Sequence, residues 1–347
     1  MPAAIVMQRR DRIAFLVFSS WITIGLYLDG WAHNNDKPET FFTPWHGLLY
    51  SGFAVSVAWS VLERFRRPPG LGNYEGDRWL AVGGAMFALG GIGDFLWHSL
   101  FGIEVGIEGL LSPTHLLLMM GGLLAATSPL RAHQAGATAR TVAWVNGASI
   151  TIAAAVVAFF LQFLNAFLVD AETLATADSV GDEGQVVQSF AIAGVLITVT
   201  FLTGMALLLR RYAPARGVVA ASFTVLALGA VGMHSFENVA LVLAALAGGL
   251  AIDALTARDA DVRLVLGAGA GTLTAAWCAI AAATIGMAWP AELPAGTTLF
   301  AMLAGVGLGQ IATSFELQRA PESPEPVAPE PVAPAATGDR YLASTAT

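Results

Sequence analysis

Two stretches of this chain present an aspartate and two histidines in the same order. Each contains an Asp-x-x-x-His segment, "DGWAH" or "DFLWH", followed after a connector by a Thr/Ser-Pro-x-His segment, "TPWH" or "SPTH". The residues concerned are Asp29, His33 and His46 in the first stretch and Asp94, His98 and His115 in the second. Two imidazoles and one carboxylate form a ligand set suited to a divalent transition metal such as copper, zinc or iron.

The spacing predicts how helices would assemble each triad. A separation of four residues places the aspartate beneath the first histidine on one face of a helix's last turn. The second histidine follows an N-cap signal, Thr43-Pro44 or Ser112-Pro113, in which the proline occupies the first helical position. Each helix hairpin would therefore bring its three candidate ligands together, and the hairpin would be repeated in tandem.

The rest of the chain predicts an all-α, polytopic membrane protein. Of its 347 residues, 56% are hydrophobic and 12% are charged. Its long apolar stretches are able to cross a bilayer. A single cysteine, Cys278, excludes an intrachain disulfide and a cysteine-based metal or redox site. About ten spans are predicted, at residues 13–33, 44–63, 79–101, 113–130, 141–169, 187–209, 217–235, 239–257, 264–288 and 297–315.

The basic residues predict the orientation of these spans. With ten spans, every arginine falls on the side of the two termini, and Lys37 alone falls on the other side. Because basic loops stay in the cytoplasm, we expect an inner (plasma) membrane protein with cytoplasmic termini and external triads. Arginines spread along membrane borders also argue against nucleic-acid binding.

The chain divides into three predicted regions. Residues 1–135 would form a four-helix region with the metal sites, 136–318 a six-helix membrane region, and 319–347 a Pro/Ala/Glu-rich disordered cytoplasmic tail. The weakest boundary is "GMHSFENV", which leaves few residues for a reversal between two helices. Six glycines are predicted to permit close helix packing, namely Gly83, Gly84, Gly90, Gly91, Gly121 and Gly122.

Other polar residues extend the candidate site or have simpler roles. Further candidate ligands or neighbours of the metal are Glu104, Glu108, His234 and Glu237. Gln162 and Asn165 are predicted to make hydrogen bonds between helices. The alternative for the triads themselves is a polar rim at headgroup level, but buried carboxylates cost several kcal/mol unless compensated, and ionisable groups inside a membrane favour function.

The first stretch, "DGWAH…FFTPWH", resembles the copper-binding stretch of the C subunit of particulate methane monooxygenase and its ammonia-oxidising relatives. The resemblance implies that Asp29, His33 and His46 bind one copper. The second stretch is similar to the neighbouring copper site of that family, with Asp94 where the family has an asparagine. The likeness covers residues 12 to 130 and implies a distant relative, because residues 140 to 320 have no counterpart.

These observations lead to two functional hypotheses. The first is a copper-dependent monooxygenase, or a subunit of one, that oxidises a small apolar substrate at the external membrane face. No flavin, haem or iron–sulfur motif is present, so a quinol or partner subunits would have to supply electrons. The second is a non-catalytic protein that binds, stores or delivers copper or zinc. A bis-histidine haem b protein is a third and weaker interpretation, because the aspartate gives haem no benefit.

Overall fold

The described part of the chain folds into helices. The structure is a computed structural model that describes residues 9–37, 42–66, 75–102, 106–131, 139–169, 174, 182–287 and 289–319. The α-helices, in chain order, are α1 (Arg9–Asn34), α2 (Pro44–Arg66), α3 (Glu75–Phe101), α4 (Gly106–Leu110), α5 (Pro113–Ala126), α6 (Ser128–Arg131), α7 (Ala139–Phe160), α8 (Asp182–Tyr212), α9 (Val218–Met233), α10 (Val242–Thr256), α11 (Val262–Thr284) and α12 (Glu292–Arg319).

Seven of these segments have the length and hydropathy of a membrane span. They are α1, α3, α7, α8, α10 with the short turn before it, α11 and α12, whereas α5 and α9 are apolar but shorter. The apolar helices indicate a membrane-embedded protein. The predicted count of ten spans exceeds these seven and stays a prediction. Of the predicted disordered tail, residues 319–347, Arg319 is the last residue of α12, and residues 320–347 lie outside the described residues.

Most of the buried core lies in the second half of the molecule. A single apolar cluster extends from Ile150 on α7 to Ala301 on α12. Within this cluster, the buried indole nitrogen of Trp277 on α11 donates a hydrogen bond to the backbone oxygen of Ala166 at 2.9 Å. This bond ties α11 to the segment that follows α7. Among the described residues of the first half, the buried clusters are small, such as that of Ile22, Leu49 and Phe87.

Close glycine contacts join the helices that carry the triads. A Cβ placed on Gly121 of α5 would lie 2.7 Å from the backbone oxygen of Gly83 on α3. Similarly, a Cβ on Gly25 of α1 would lie 2.7 Å from the backbone of Leu49 on α2. The predicted role of the glycines in close packing is wrong at Gly84 and Gly122, where a Cβ would meet no described atom of another element within 4 Å.

The fifth predicted span is shorter than its apolar run suggests. Helix α7 ends at Phe160, and the chain continues as two 3₁₀ turns over Gln162–Leu164 and Ala166–Leu168. The Asn165 side chain accepts a hydrogen bond from the Phe167 amide at 3.0 Å, which competes with helical bonding. Non-helical backbone at membrane depth occurs where it is buried in protein or lines a cavity.

The stretch "GMHSFENV" forms a tight reversal between two separate helices. Helix α9 ends at Met233, a 3₁₀ turn begins at Val239, and α10 follows it. Ser235 and Phe236 have φ angles of 55° and 65°, which non-glycine residues seldom adopt. Backbone strain of this kind costs about 1–3 kcal/mol per residue and persists only where neighbouring contacts hold it.

Candidate metal centre

The first triad forms where the end of α1 meets the start of α2. Asp29 and His33 lie in the last turns of α1, and His46 lies in the first turn of α2. Asp29 Oδ1 lies 3.2 Å from His46 Nε2 and 3.7 Å from His33 Nε2. That oxygen is buried without a hydrogen-bond partner. A buried carboxylate oxygen that faces two ring nitrogens is the arrangement that a bound cation would stabilise.

The second triad repeats this geometry at the end of α3 and the start of α5. Asp94 Oδ1 lies 3.1 Å from His115 Nε2 and 3.4 Å from His98 Nε2. The aspartate side chain is only 2% exposed. The hydroxyl of Thr114 also donates to Asp94 Oδ1, at 3.2 Å. In each triad the three donor atoms lie within 4.8 Å of one another.

Backbone contacts fix the tautomers of the second triad. His98 Nδ1 lies 3.1 Å from the backbone oxygen of Gly102, and His115 Nδ1 contacts the backbone oxygen of Gly109. A carbonyl oxygen only accepts hydrogen bonds, so both Nδ1 atoms carry their proton and donate it. In the neutral rings, the Nε2 lone pairs then face the Asp94 carboxylate. Metal-bound histidines show this same pattern, in which the second ring nitrogen donates to a carbonyl or carboxylate.

The distances within the triads fit a shared ion. Bonds of about 2.0–2.1 Å to nitrogen and oxygen, set at tetrahedral angles, separate neighbouring donor atoms by roughly 3.3 Å. The four measured separations between a carboxylate oxygen and a ring nitrogen run from 3.1 to 3.7 Å. A cation between the donors would also offset the repulsion between lone pairs and carboxylate. The residues present therefore fit a divalent metal.

Helix caps hold the second histidine of each triad in place. The Thr43 hydroxyl accepts a hydrogen bond from the His46 amide at 3.3 Å, and the Ser112 hydroxyl accepts one from the His115 amide at the same distance. Each cap occupies the position that the sequence predicted, directly before the proline that starts the helix. The caps set the direction in which the helix starts, and this direction carries each imidazole toward its aspartate.

Both triads border one cavity. Its volume is about 640 Å³, and its wall includes Asp29 with the four histidines of the triads. These histidines are His33, His46, His98 and His115. Apolar side chains from α1, α2, α3, α5, α7 and α8 form much of the remaining wall. A cavity of this size that joins two sets of candidate ligands offers room for a molecule beside both.

The turn between α9 and α10 clamps the end of α1 next to the first triad. Trp31 Nε1 donates to the Ser235 hydroxyl at 3.1 Å, and that hydroxyl donates to Asn35 Oδ1 at 2.8 Å. Asn35 also donates to the backbone oxygen of Met233 at 3.1 Å. The second half of the molecule thus holds the helix end that carries Asp29 and His33.

The other candidate residues lie apart from the triads. Glu108 and Glu237 are exposed, and neither belongs to a triad or to the wall of the cavity. His234 is half-buried and borders the cavity without joining a triad. Glu104 lies outside the described residues. The described part of the chain therefore brings together six candidate ligands and separates these three from them.

Some residues of the site carried no clear signal in the sequence. Thr114 was not predicted to contact Asp94, although it lies between the proline and the histidine of the second frame. The cavity wall formed by Phe159, Phe160 and Phe163 was also missed, because these residues belong to an apolar run without a marked break. Gln162 did give a polar signal, and its side chain accepts a hydrogen bond from Asn34 at 3.3 Å.

Comparison with protein-family models, curated proteins and solved structures gives no match for this chain. The geometry of the triads and the cavity is therefore the basis for a functional assignment.

Proposed function

We propose that this protein is a membrane copper protein that binds one ion at each triad and oxidises an apolar substrate in the cavity between them. The observation that carries the proposal is the convergence of each aspartate oxygen on two ring nitrogens at 3.1 to 3.7 Å. The same ligand types underlie the resemblance to the C subunit of copper membrane monooxygenases. Zinc and iron are the alternative metals for an N₂O donor set.

The residues of each triad have separable roles in this proposal. The imidazole Nε2 atoms would provide neutral donors, and the carboxylates would offset part of the positive charge of the ion. For His98 and His115, the hydrogen bonds from Nδ1 to backbone oxygens orient the rings before any metal arrives. Bound copper would supply a redox centre able to react with dioxygen.

The surroundings of the triads suit an oxidation that excludes bulk water. Phe87, Phe159 and Phe160 belong to the cavity wall, and all three are buried. An apolar wall admits apolar substrates and keeps water from competing at the metal. The electrons and protons for the oxidation would come from a quinol or from partner subunits, and the bilayer would deliver the substrate.

We also propose the orientation that the arginines predict, with cytoplasmic termini and the triads toward the external side of the plasma membrane. Both triads lie at the carboxyl ends of α1 and α3, so two helices running in the same direction would place them at the same membrane face. Dioxygen and metal ions would then reach the site from outside the cell.

Copper content and oxygen consumption together test the proposed function. Purified protein, reconstituted into nanodiscs and loaded with copper, should retain two equivalents after gel filtration. It should then consume dioxygen when a quinol is added. A His46→Ala, His115→Ala double variant, which removes one imidazole from each triad, should retain far less copper and consume no dioxygen above the rate of empty nanodiscs. Wild-type protein that retains no stoichiometric copper would overturn the proposal.

A non-catalytic role in binding, storing or delivering copper or zinc is the second candidate. One observation favours it, because the His33 side chain is 35% exposed and an exchange partner could reach it. A delivery protein would release copper to a soluble chelator without consuming dioxygen in the presence of quinol. The proposed oxidase would hold its copper through the same reaction.

A further inference from the structure

The cavity continues well beyond the candidate ligands. On α1 its wall runs from Asn34 to Ile22, and Ile22 precedes Asp29 by seven residues. On α5 the wall runs from His115 to Gly122, again over seven residues. At 1.5 Å of rise per residue, both distances correspond to roughly 10 Å of depth away from the triads. We call this deeper part, bordered by Ile22, Leu26, Leu118, Met119 and Gly122, the shaft.

The volume of the cavity sets the size of its ligand. A water molecule occupies roughly 30 Å³ in the liquid, so this space has room for about twenty non-hydrogen atoms. The cavity volume of about 640 Å³ also falls within the range of pockets that enclose drug-sized molecules. A substrate of one or two heavy atoms would leave nearly all of the shaft without contacts, which gives it little binding energy.

The described lining of the shaft selects an uncharged molecule. Its residues are aliphatic, methionine or glycine, and the ionisable residues of the cavity wall lie at the level of the triads or, in the case of Asp36, past the end of α1. A charged group placed in the shaft would therefore lack a partner and would cost several kcal/mol. Hydrogen-bonding groups occur near the triads, where Asn34 donates to Gln162.

Apolar side chains at the edge of the cavity indicate the direction of entry. Ile107, Phe163 and Phe190 belong to its wall, yet their exposed fractions are 54%, 42% and 65%. Exposed apolar side chains of a membrane protein suit contact with lipid tails, which are as apolar as the side chains themselves. A ligand that passes between them would come from the lipid phase and would not need to cross bulk water.

We propose that the cavity binds a free, uncharged molecule whose apolar body has about ten to twenty non-hydrogen atoms. Its chain fills the shaft, and its other end lies beside the triads. Medium-length alkanes and their alcohols belong to this class. The assignment of this molecule as a substrate rests on the proposed function, whereas its binding in the shaft does not require metal.

Gly122 allows the shaft to be filled without disturbing the helix contacts. A Cβ on Gly122 would meet no described atom of another element within 4 Å, so a leucine side chain there would occupy the shaft. Gly84 on α3 provides the matched control, because its Cβ also meets open space but the residue does not border the cavity. Both substitutions add the same side chain to an apolar helix.

The test uses decan-1-ol that carries a diazirine, cross-linked by light to the full-length protein in nanodiscs. We expect labelled peptides that contain Leu118 or Met119, with excess decan-1-ol but not ethanol preventing the labelling. Gly122→Leu should reduce this labelling by about tenfold or more, which corresponds to roughly 1.4 kcal/mol of lost binding. Gly84→Leu should label as the wild type does, and both variants should retain wild-type copper.

Four outcomes decide the proposal. Equal labelling of the shaft in Gly122→Leu and wild type, or labelling confined to lipid-facing residues of α12, would overturn it. A phospholipid that co-purifies with the wild type but not with Gly122→Leu, and that excess decan-1-ol does not displace, would assign the shaft to a lipid tail and also overturn it. Shaft labelling in protein that binds no copper would support the binding cavity while refuting the oxidase function.

Discussion

Replacing His46 with alanine should remove one of two bound coppers. The variant leaves the first triad with Asp29 and His33 and does not alter the second triad. Four-ligand zinc sites bind with about 10–16 kcal/mol, or roughly 3–4 kcal/mol for each ligand. Losing one ligand should therefore weaken the first site by about 10²- to 10³-fold. Copper content after dialysis against a moderate chelator should fall from two equivalents per chain to one.

The fold should tolerate this change. The His46 side chain is 12% exposed and borders the existing cavity, so its truncation enlarges that space and opens no new void in the core. We expect a stability loss of about 1 kcal/mol, below the range for truncating a packed apolar residue. Gel filtration and circular dichroism of the metal-free variant should match those of the wild type.

A matched control separates ligand loss from a general disturbance of the cavity. His234 borders the same cavity but belongs to neither triad, so His234→Ala should retain two equivalents of copper. His115→Ala should lose one equivalent, and combining it with His46→Ala should lose both. The reasoning is refuted if His46→Ala keeps both ions, or if His234→Ala loses copper as readily as the triad variants.

Four further predictions follow from the geometry. Ser112→Ala removes the cap that receives the His115 amide, and should lower the free energy of unfolding by about 1 kcal/mol and weaken copper binding at the second triad only, as measured by denaturation and titration. Ser235→Ala removes two hydrogen bonds to the end of α1, and should cost about 1–3 kcal/mol while raising the copper dissociation constant of the first triad alone. Stripping copper with a chelator should lower the thermal unfolding midpoint reversibly, because ligand at a hundredfold excess over its dissociation constant stabilises by about 2.7 kcal/mol per site; an unchanged midpoint would argue against folding-linked sites. An impermeant thiol reagent should label Lys37→Cys but not Arg258→Cys in intact cells, and the opposite result would invert the proposed orientation.

The sequence alone determined the composition of the triads and the local structure around them. The aspartate and first histidine share a helix face because four residues make about one turn, and this relation needs no tertiary contact. The starts of α2 and α5 were likewise predictable, since a capping hydroxyl followed by proline defines a helix start locally. The all-helical class followed from the long apolar runs. Inside a bilayer there is no water to bond to, and a single segment satisfies all of its own backbone hydrogen bonds only as a helix.

Only the tertiary structure decided how these local units meet. Beyond the end of α7, the amides of Ala166 and Phe167 donate to Thr198 Oγ1 and Asn165 Oδ1 and not to the preceding turn, and Thr198 lies on another helix, α8. Whether a glycine packs against a neighbour or faces a cavity depends on the partner helix, so Gly121 and Gly122 look equivalent in the sequence and differ in space. The shared cavity exists because separate helices leave a common gap between them, and the pattern of any one helix contains no information about that gap.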